Sequence, residues 1–198
     1  MNVLMEIAST NANSGVANSS GQIPLQGVME DFLAAAFEDG LVIDATIATN
    51  EAQRMALWDV RETAPESHKR SGVVARSDIS LPQSAIAPFY AEMVSGIKAI
   101  DPTVRICGYG HIGDGNLHFN LVSHPTSNAE FAKKIPSLFD LLYRTLARYG
   151  GSISAEHGIG QVKRDQLKTV KSAEILDTMQ AIKTALDPQN LMNPGKVL

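Results

Sequence analysis

Near its middle the sequence reads Gly108-Tyr109-Gly110-His111-Ile112-Gly113-Asp114-Gly115-Asn116-Leu117-His118-Phe119-Asn120. The residues on either side predict two strands, and Gly-Asp-Gly-Asn is typical of a turn because it supplies positive φ and an Asx turn. We therefore expect a hairpin that brings His111 and His118 side by side. Two imidazoles that reach one point suit a metal site, with a third ligand from elsewhere. The alternative is a tight hairpin whose histidines only pack or face water.

Strands and helices are predicted to alternate on both sides of this hairpin. The predicted strands are 3–8, 41–48, 73–80, 104–109, 117–122 and 152–154. The predicted helices are 25–37, 50–68, 82–100, 128–149, 163–169 and 173–186. Pro136 is expected to kink or divide the fourth helix. We expect an α+β fold in which ferredoxin-like βαβ units form an antiparallel or mixed sheet covered by helices, with a helical C-terminal segment.

The composition of the 198 residues indicates an ordinary globular chain, with 44% hydrophobic and 19% charged residues. The formal net charge of −4 argues against nucleic acid or an anionic membrane as the main partner. A single cysteine, Cys107, excludes a disulfide framework and a cysteine-based zinc site. The sequence shows neither an apolar run of membrane-spanning length nor a basic leader, so we expect a cytoplasmic location and no membrane span.

A second polar cluster follows the predicted strand 152–154 and reads Ser154-Ala155-Glu156-His157-Gly158-Ile159-Gly160. In a glycine-bearing loop, adjacent Glu156 and His157 can serve separate roles. The carboxylate could bind a metal, while the imidazole, which titrates near neutrality, could accept a proton. The alternative is that Glu156 caps the following helix and His157 is an ordinary loop residue.

Two arginines complete the candidate site. Arg61 lies on a predicted helix, and Arg76 lies in an otherwise apolar predicted strand. Arginine binds carboxylates through two parallel hydrogen bonds, so an inward-facing pair could hold an acidic substrate. The alternative for Arg61 is a surface ion pair with the adjacent Glu62, which would contribute little to stability.

The two glycine-bearing motifs, in this order and with Ser77-Asp78-Ile79-Ser80-Leu81-Pro82 before them, resemble the C-terminal domain of FAD-linked oxidases. That family includes D-2-hydroxyglutarate dehydrogenases, flavin-type D-lactate dehydrogenases and the glycolate oxidase FAD subunit. The resemblance implies that His157 is the general base. It implies three metal ligands, His111, His118 and Glu156. It implies substrate contacts from Arg61, Arg76 and Asn120, and cofactor contacts from Gly113, Asp114, Gly115 and Asn116.

The function that this resemblance implies is FAD-dependent oxidation of a D-2-hydroxy acid to the 2-oxo acid. A divalent zinc or manganese ion would assist deprotonation of the hydroxyl, and hydride would pass to the flavin. Residues 1–198 would form the substrate-binding (cap) domain, and the chain would be inactive without an FAD-binding domain that we expect to lie outside it. Pro65 stands where some relatives carry threonine, so the resemblance does not predict the shape of the specificity pocket.

The expected partners are a small 2-hydroxy acid and the FAD-binding domain or subunit. An exposed apolar face should mark where that domain docks, and the same face could pair two copies as a homodimer. Two other functions stay open at this stage. One is a non-catalytic module that binds metal or hydroxy acid, and the other is a metallohydrolase that uses the same three metal ligands.

Overall fold

The computed structural model of the protein describes residues 2–11, 13, 16, 19, 24–69 and 72–198, without the side chains of residues 65–69. The chain divides into two compact units, Met1–Pro65 and Glu66–Leu198. The architecture is α+β, as predicted, with a small antiparallel sheet, helices that pack on it and a helical C-terminal segment. None of the helices in the described ranges is both long enough and apolar enough to cross a membrane.

The first unit contains helix α1, Pro24–Glu38, and most of helix α2, Glu51–Lys69. Both helices were predicted, and α2 begins as its sequence indicates. The Asn50 side-chain oxygen accepts the Gln53 backbone N–H at 2.9 Å, which satisfies one of the free donors at the start of the helix. The Trp58 indole N–H donates to the Glu6 carboxylate at 2.6 Å.

Two strands predicted in this unit, 3–8 and 41–48, are wrong. Both ranges lack strand structure throughout. Their apolar side chains find no sheet face to cover, since Ile43 is 99% exposed and Val3 is 61% exposed. β-branched composition favours a strand only where a neighbouring strand supplies the ladder and the packing. The first predicted βαβ unit is therefore absent.

The sheet of the second unit is built around one strand, β4, Asn116–Val122. Strand β3, Arg105–Tyr109, pairs with it along one edge, from Arg105 opposite Val122 to Tyr109 opposite His118. The other edge holds two short strands, β1 (Val74–Ala75) and β2 (Ile79–Ser80), which the sequence predicted as one. All three neighbours run antiparallel to β4, so β2 and β3 are parallel to each other with β4 between them.

A single helix, α3 (Gln83–Ile100), connects β2 to β3 and completes the βαβ unit predicted for this part of the chain. It packs with α4, Asn128–Arg148, over one face of the sheet. Pro136 lies inside α4, which is assigned as one uninterrupted helix. The ring centroids of Phe89 on α3 and Phe119 on β4 are 5.9 Å apart, edge to face. The buried core contains these rings together with Met93, Ile97, Leu117, Leu121, Leu138, Leu142 and Leu146.

The C-terminal segment returns to the sheet once and then becomes helical. The predicted strand 152–154 is reduced to one antiparallel bridge, in which Ser152 pairs with Ser80, the last residue of β2. Helices α5 (Arg164–Val170) and α6 (Ala173–Leu186) follow close to their predicted positions.

Gly115, which immediately precedes β4, lies in a tightly packed part of the hairpin turn. Its φ is +70°, and a Cβ added there would overlap the Leu81 carbonyl oxygen. The backbone of Leu81 also donates to the Gly115 carbonyl at 2.9 Å. We expect Gly115→Ala to lower the free energy of unfolding by about 3 kcal/mol, because the left-handed conformation and the overlap both oppose a side chain.

Urea unfolding of both glycine variants of this turn measures the effect. Gly113→Ala is the matched control, since a Cβ there meets nothing within 4 Å. It should stay within about 0.5 kcal/mol of the wild type. Equal losses in the two variants would contradict the proposed overlap.

Asp101, which ends α3, links folding to pH. Its carboxylate is 4% exposed and accepts from the Thr103 hydroxyl at 2.7 Å and from Lys134 at 2.9 Å. The Thr103 and Lys134 hydrogen bonds outweigh the effect of burial and lower the pKa of Asp101 from 3.8 to about 2. A carboxylate whose pKa falls on folding stabilises the protein above its unfolded pKa, and this contribution disappears as pH falls through the folded value.

We therefore expect Asp101→Asn to be less stable than the wild type at pH 6, with a gap that shrinks below pH 4 and closes near pH 2. Urea unfolding across this pH range checks the prediction. Asp165→Asn is the control, because Asp165 is 93% exposed and loses only a surface ion pair with Lys168. A gap for Asp101→Asn that does not change with pH would contradict the assignment.

Candidate functional site

The two faces of β4 differ in chemistry. Side chains alternate across a strand, and Leu117, Phe119 and Leu121 point into the core beneath the helices. The alternate positions carry Asn116, His118 and Asn120, so the opposite face of the central strand is polar. Asn116 and Asn120 are buried, and 16% of the His118 side chain is exposed. The candidate site forms on this polar face.

His118 lies at the centre of the site. Its ring is 5.1 Å from that of Tyr109, its partner across the hairpin, and 5.6 Å from that of His157, measured between centroids. Its Nε2 atom is 3.7 Å from a carboxylate oxygen of Glu156. Burial lowers the pKa of His118, although the charges of Asp78 and Glu156 act in the opposite direction. The neutral imidazole, the form that binds metals, is therefore favoured.

Asp78 holds the loop that carries Glu156 and His157. It immediately precedes β2, and only 3% of its side chain is exposed. Its carboxylate accepts the backbone N–H groups of Ala155 at 3.2 Å, Glu156 at 3.2 Å and His157 at 2.9 Å. Burial alone would raise the pKa of Asp78, but the N–H groups of His157 and Glu156, with nearby positive charge, lower it overall. Asp78 is therefore held as a carboxylate.

Lys163 contacts both Asp78 and the residue that precedes the loop 154–157. Its ammonium group donates to the Ile153 carbonyl at 2.8 Å and to the Asp78 carbonyl at 3.3 Å. The same group lies 3.6 Å from the Asp78 carboxylate. Burial lowers the pKa of Lys163, and the charge of Asp78 partly offsets this. The Lys163 ammonium group thus connects the backbone at Asp78, the backbone at Ile153 and the buried Asp78 carboxylate.

Among the described residues, Asp78, His118 and His157 form a group that could surround a metal ion. One potential ligand atom from each lies within 4.8 Å of the other two. Of the predicted ligand set, His118 belongs to this group and Glu156 lies beside it. His111 is outside the group. It is exposed and precedes the 3₁₀ turn Ile112–Asp114, two residues after Tyr109, the residue that pairs with His118. Its charge is a minor cause of the lowered pKa of His118, after burial.

The predicted cofactor turn divides into two halves. Gly113 and Asp114 are exposed, and Gly113 borders open space. Gly115 and Asn116 are buried and make contacts within the protein. Gly115 packs against Leu81, and the Asn116 amide donates to the Glu156 carboxylate. The buried Asn116 Oδ1 atom has no hydrogen-bond partner among the described residues. The exposed half of the turn is thus the part that another molecule could approach.

The predicted substrate residues lie on different elements of the chain. Arg61 is on α2, where it pairs with Glu62 at 3.0 Å, as the surface alternative expected. Arg76 lies in the three-residue break between β1 and β2 and is exposed, so it does not face the core. Asn120 is buried, and its Oδ1 accepts the Ser77 backbone N–H at 3.2 Å across the same break.

Two residues of this site were missed by the sequence reasoning. Asp78 was quoted only as part of a motif, and Lys163 was placed in a helix. A single acidic residue inside an apolar predicted strand, Asp78, is the signal that could have been used, because a buried charge needs partners. For Lys163 the sequence offers no comparable signal.

Comparison with known proteins shows the family of the chain. A sequence model of the family "FAD linked oxidases, C-terminal domain" matches residues 19–197. The chain belongs to this family.

The named relatives are longer enzymes. The chain is 41% identical over 161 residues to a D-2-hydroxyglutarate dehydrogenase of Xanthomonas citri pv. viticola, covering 81% of this chain and 34% of that protein. It is 38% identical over 170 residues to a probable mitochondrial D-2-hydroxyglutarate dehydrogenase of Oryza sativa subsp. indica, covering 86% and 29%. The mitochondrial enzyme of Bos taurus is 37% identical over 169 residues, covering 84% and 30%. The chain spans about a third of the length of these relatives.

The contact made by Asn120 generates a prediction about stability. Asn120→Ala should lower the free energy of unfolding by about 1–3 kcal/mol, because the Ser77 N–H would stay buried without its acceptor. Urea unfolding measures the loss. Gln180→Ala, an amide truncation on the exposed face of α6, is the control and should change stability by less than about 0.5 kcal/mol. An unchanged stability for Asn120→Ala would leave a substrate contact as its remaining predicted role.

Proposed function

We propose that this chain is the substrate-binding part of an FAD-dependent dehydrogenase that oxidises a D-2-hydroxy acid to the 2-oxo acid. The observation that carries the proposal is the convergence of His118, Glu156 and His157 on the polar face of β4, with Asp78 beneath them. Two imidazoles and a carboxylate can together bind a divalent metal and move a proton. Relatives named D-2-hydroxyglutarate dehydrogenases make D-2-hydroxyglutarate the first substrate to test.

The donor set fits a divalent zinc or manganese ion. Two ligands of a tetrahedral zinc ion, each about 2.1 Å from the metal, lie about 3.4 Å apart, close to the 3.7 Å between His118 Nε2 and Glu156 Oε2. We assign these two residues as ligands, and His111, at the start of the adjacent turn, as the predicted third. A metal bound there would lower the pKa of a coordinated substrate hydroxyl.

His157 is proposed as the general base. Its side chain is 67% exposed, so a substrate can reach the imidazole, and its ring lies beside that of His118. The proton of the substrate hydroxyl would pass to this imidazole. The exposed Gly113 and Asp114 are the residues we propose to approach FAD, which would be bound mainly outside this chain and would supply the hydride acceptor.

Cationic side chains are proposed to bind the substrate carboxylate. Arg76 is exposed at the break beside Asp78, where it can reach a ligand without the cost of a buried charge. Arg61 is the second predicted contact and would exchange its exposed Glu62 partner for the substrate. Asn120 stays a weaker candidate, because its oxygen is already used by Ser77.

An FAD-binding domain or subunit is the proposed partner. Alignments that cover about a third of each relative support it. Exposed apolar residues on and after α6 form a candidate docking face, and the residues concerned are Ile175, Ile182, Leu186, Leu191 and Met192. The same face could pair two copies in a homodimer. Lactate and glycolate are proposed as alternative substrates, and a cytoplasmic location stays a prediction.

Metal and substrate binding by this chain provide the first test. We expect Zn²⁺ or Mn²⁺ to bind, and D-2-hydroxyglutarate to bind more tightly when the metal is present. Isothermal titration calorimetry measures both. His118→Gln and Glu156→Gln should each weaken metal binding at least tenfold, whereas His124→Gln, an exposed histidine, should not. Substrate binding that ignores the metal would contradict the chelation.

Turnover provides the second test, in an enzyme that joins this chain to the remaining part of the Xanthomonas citri relative. His157→Gln should lower kcat by about 10²- to 10⁴-fold, the usual contribution of a general base, with metal content unchanged. Formation of 2-oxoglutarate measures the rate, and His124→Gln is again the control. Undiminished turnover in His157→Gln would remove His157 as the base.

A non-catalytic module that binds metal and hydroxy acid is the second candidate function. The observation that favours it is that the proposed metal ligands His118 and Glu156 lie 3.7 Å apart within this chain. Metal-dependent binding of the hydroxy acid, combined with no turnover in the joined enzyme although FAD is bound, would favour this module over the dehydrogenase.

A further inference from the structure

We propose that Asp78 is a positioning residue, not a metal ligand, and that its carboxylate holds the loop 154–157 so that Glu156 and His157 face His118. This inference deepens the proposed function and rests on it for the roles of Glu156 and His157. The position of the loop itself is a separate physical claim and can be tested without metal or substrate.

The first argument is that the oxygens of Asp78 are already occupied. One of them, Oδ2, accepts from the Ser154 hydroxyl at 3.1 Å and from three successive backbone N–H groups, those of residues 155–157. The other, Oδ1, accepts the Glu156 N–H at 3.2 Å. A carboxylate offers about four lone-pair sites. A metal bound to Oδ2 would have to displace several of these donors, and one bound to Oδ1 would compete with the Glu156 N–H, so the proximity of Asp78 to His118 and His157 does not by itself make it a ligand.

The second argument is that the backbone N–H groups of residues 155–157 have no acceptor other than Asp78 among the described residues, since the loop's other hydrogen bonds involve Ser154 and the Glu156 side chain. Residues 154–157 lie outside any helix or strand, between the single bridge at Ser152 and helix α5. Gly158 and Gly160, with φ of +74° and +56°, follow directly. A segment of this kind keeps one conformation only when side chains satisfy its backbone. Asp78 supplies the acceptor for three consecutive N–H groups, two of which belong to Glu156 and His157.

The third argument concerns Lys163, which fixes Asp78 in turn. It donates to the Asp78 carbonyl and to the Ile153 carbonyl, and it lies 3.6 Å from the carboxylate. The backbone before β2 and the backbone before the loop are therefore tied to the same ammonium group. Asp78 immediately precedes β2, and β2 pairs with β4, the strand that carries His118. The position of the loop relative to His118 is therefore set through Asp78.

The experiment compares the wild type with Asp78→Asn by NMR in the metal-free chain. Asparagine removes the negative charge and keeps only one acceptor oxygen, so the hydrogen bonds to residues 155–157 and the attraction to Lys163 should weaken. We expect amide hydrogen exchange at these residues to accelerate at least tenfold, while the amides of Phe119 and Leu121 in β4 stay protected. The cross-relaxation between the His118 and His157 rings should disappear.

The matched control is Asp101→Asn, a second buried aspartate that accepts a backbone N–H and pairs with a lysine. It should lose stability and keep both the slow exchange at residues 155–157 and the contact between the histidine rings. A Co²⁺ titration, followed by the visible absorption of the bound ion, should show at least tenfold weaker binding in Asp78→Asn and unchanged binding in Asp101→Asn.

Unchanged exchange at 155–157 in Asp78→Asn, or a retained contact between the rings, would overturn the inference. So would Co²⁺ binding of wild-type strength in that variant. If wild-type chain binds no Co²⁺, the proposed metal site fails, whereas the exchange and ring measurements still decide the role of Asp78. If Asp78→Asn does not fold, Ser154→Ala and Lys163→Met replace it. Each should accelerate exchange at 155–157 more than in β4, and equal acceleration in both regions would overturn the inference.

Discussion

The site is organised by one buried carboxylate surrounded by donors. A carboxylate removed from water loses several kcal/mol of solvation, so it stays charged only where hydrogen bonds and opposite charge replace that water. Asp78 meets this condition with three backbone N–H groups, a hydroxyl and a nearby ammonium group. These donors come from residues more than seventy positions later in the chain. The electrostatic need of one side chain thus determines where a distant loop lies.

The central strand separates stability from chemistry. On one face of β4, Leu117, Phe119 and Leu121 complete the apolar core with the two packed helices. On the other face, Asn116 and His118 direct polar atoms towards Glu156. A strand whose side chains alternate can perform both tasks over seven residues. Changes at His118 can therefore alter the site while the apolar core is retained, whereas Asn120 on the same face also fixes the backbone of Ser77.

Much of this arrangement was predictable where the determining interactions are local. The glycine-rich turn and its flanking runs predicted the β3–β4 hairpin, and Asn50 marked the start of α2. The ranges 3–8 and 41–48 have strand-like composition but no partner, and a partner cannot be read from composition. The family resemblance predicted that His118 and Glu156 lie close together. The contacts of Asp78 with Lys163 and with the loop 154–157 were not predicted, because they depend on packing between distant segments. The residue paired with His118 is Tyr109, and His111 follows it by two residues, so the role predicted for His111 stays a prediction.

The break between β1 and β2 has a consequence for the sheet as a template. An edge strand with a long row of unpaired backbone groups invites a strand from another molecule. Here the edge is interrupted at residues 76–78, and Ser80 at its far end is already paired with Ser152. Only the two residues of β1 continue the ladder before the interruption. The break at residues 76–78, which includes Asp78, therefore also protects this edge against strand-to-strand aggregation.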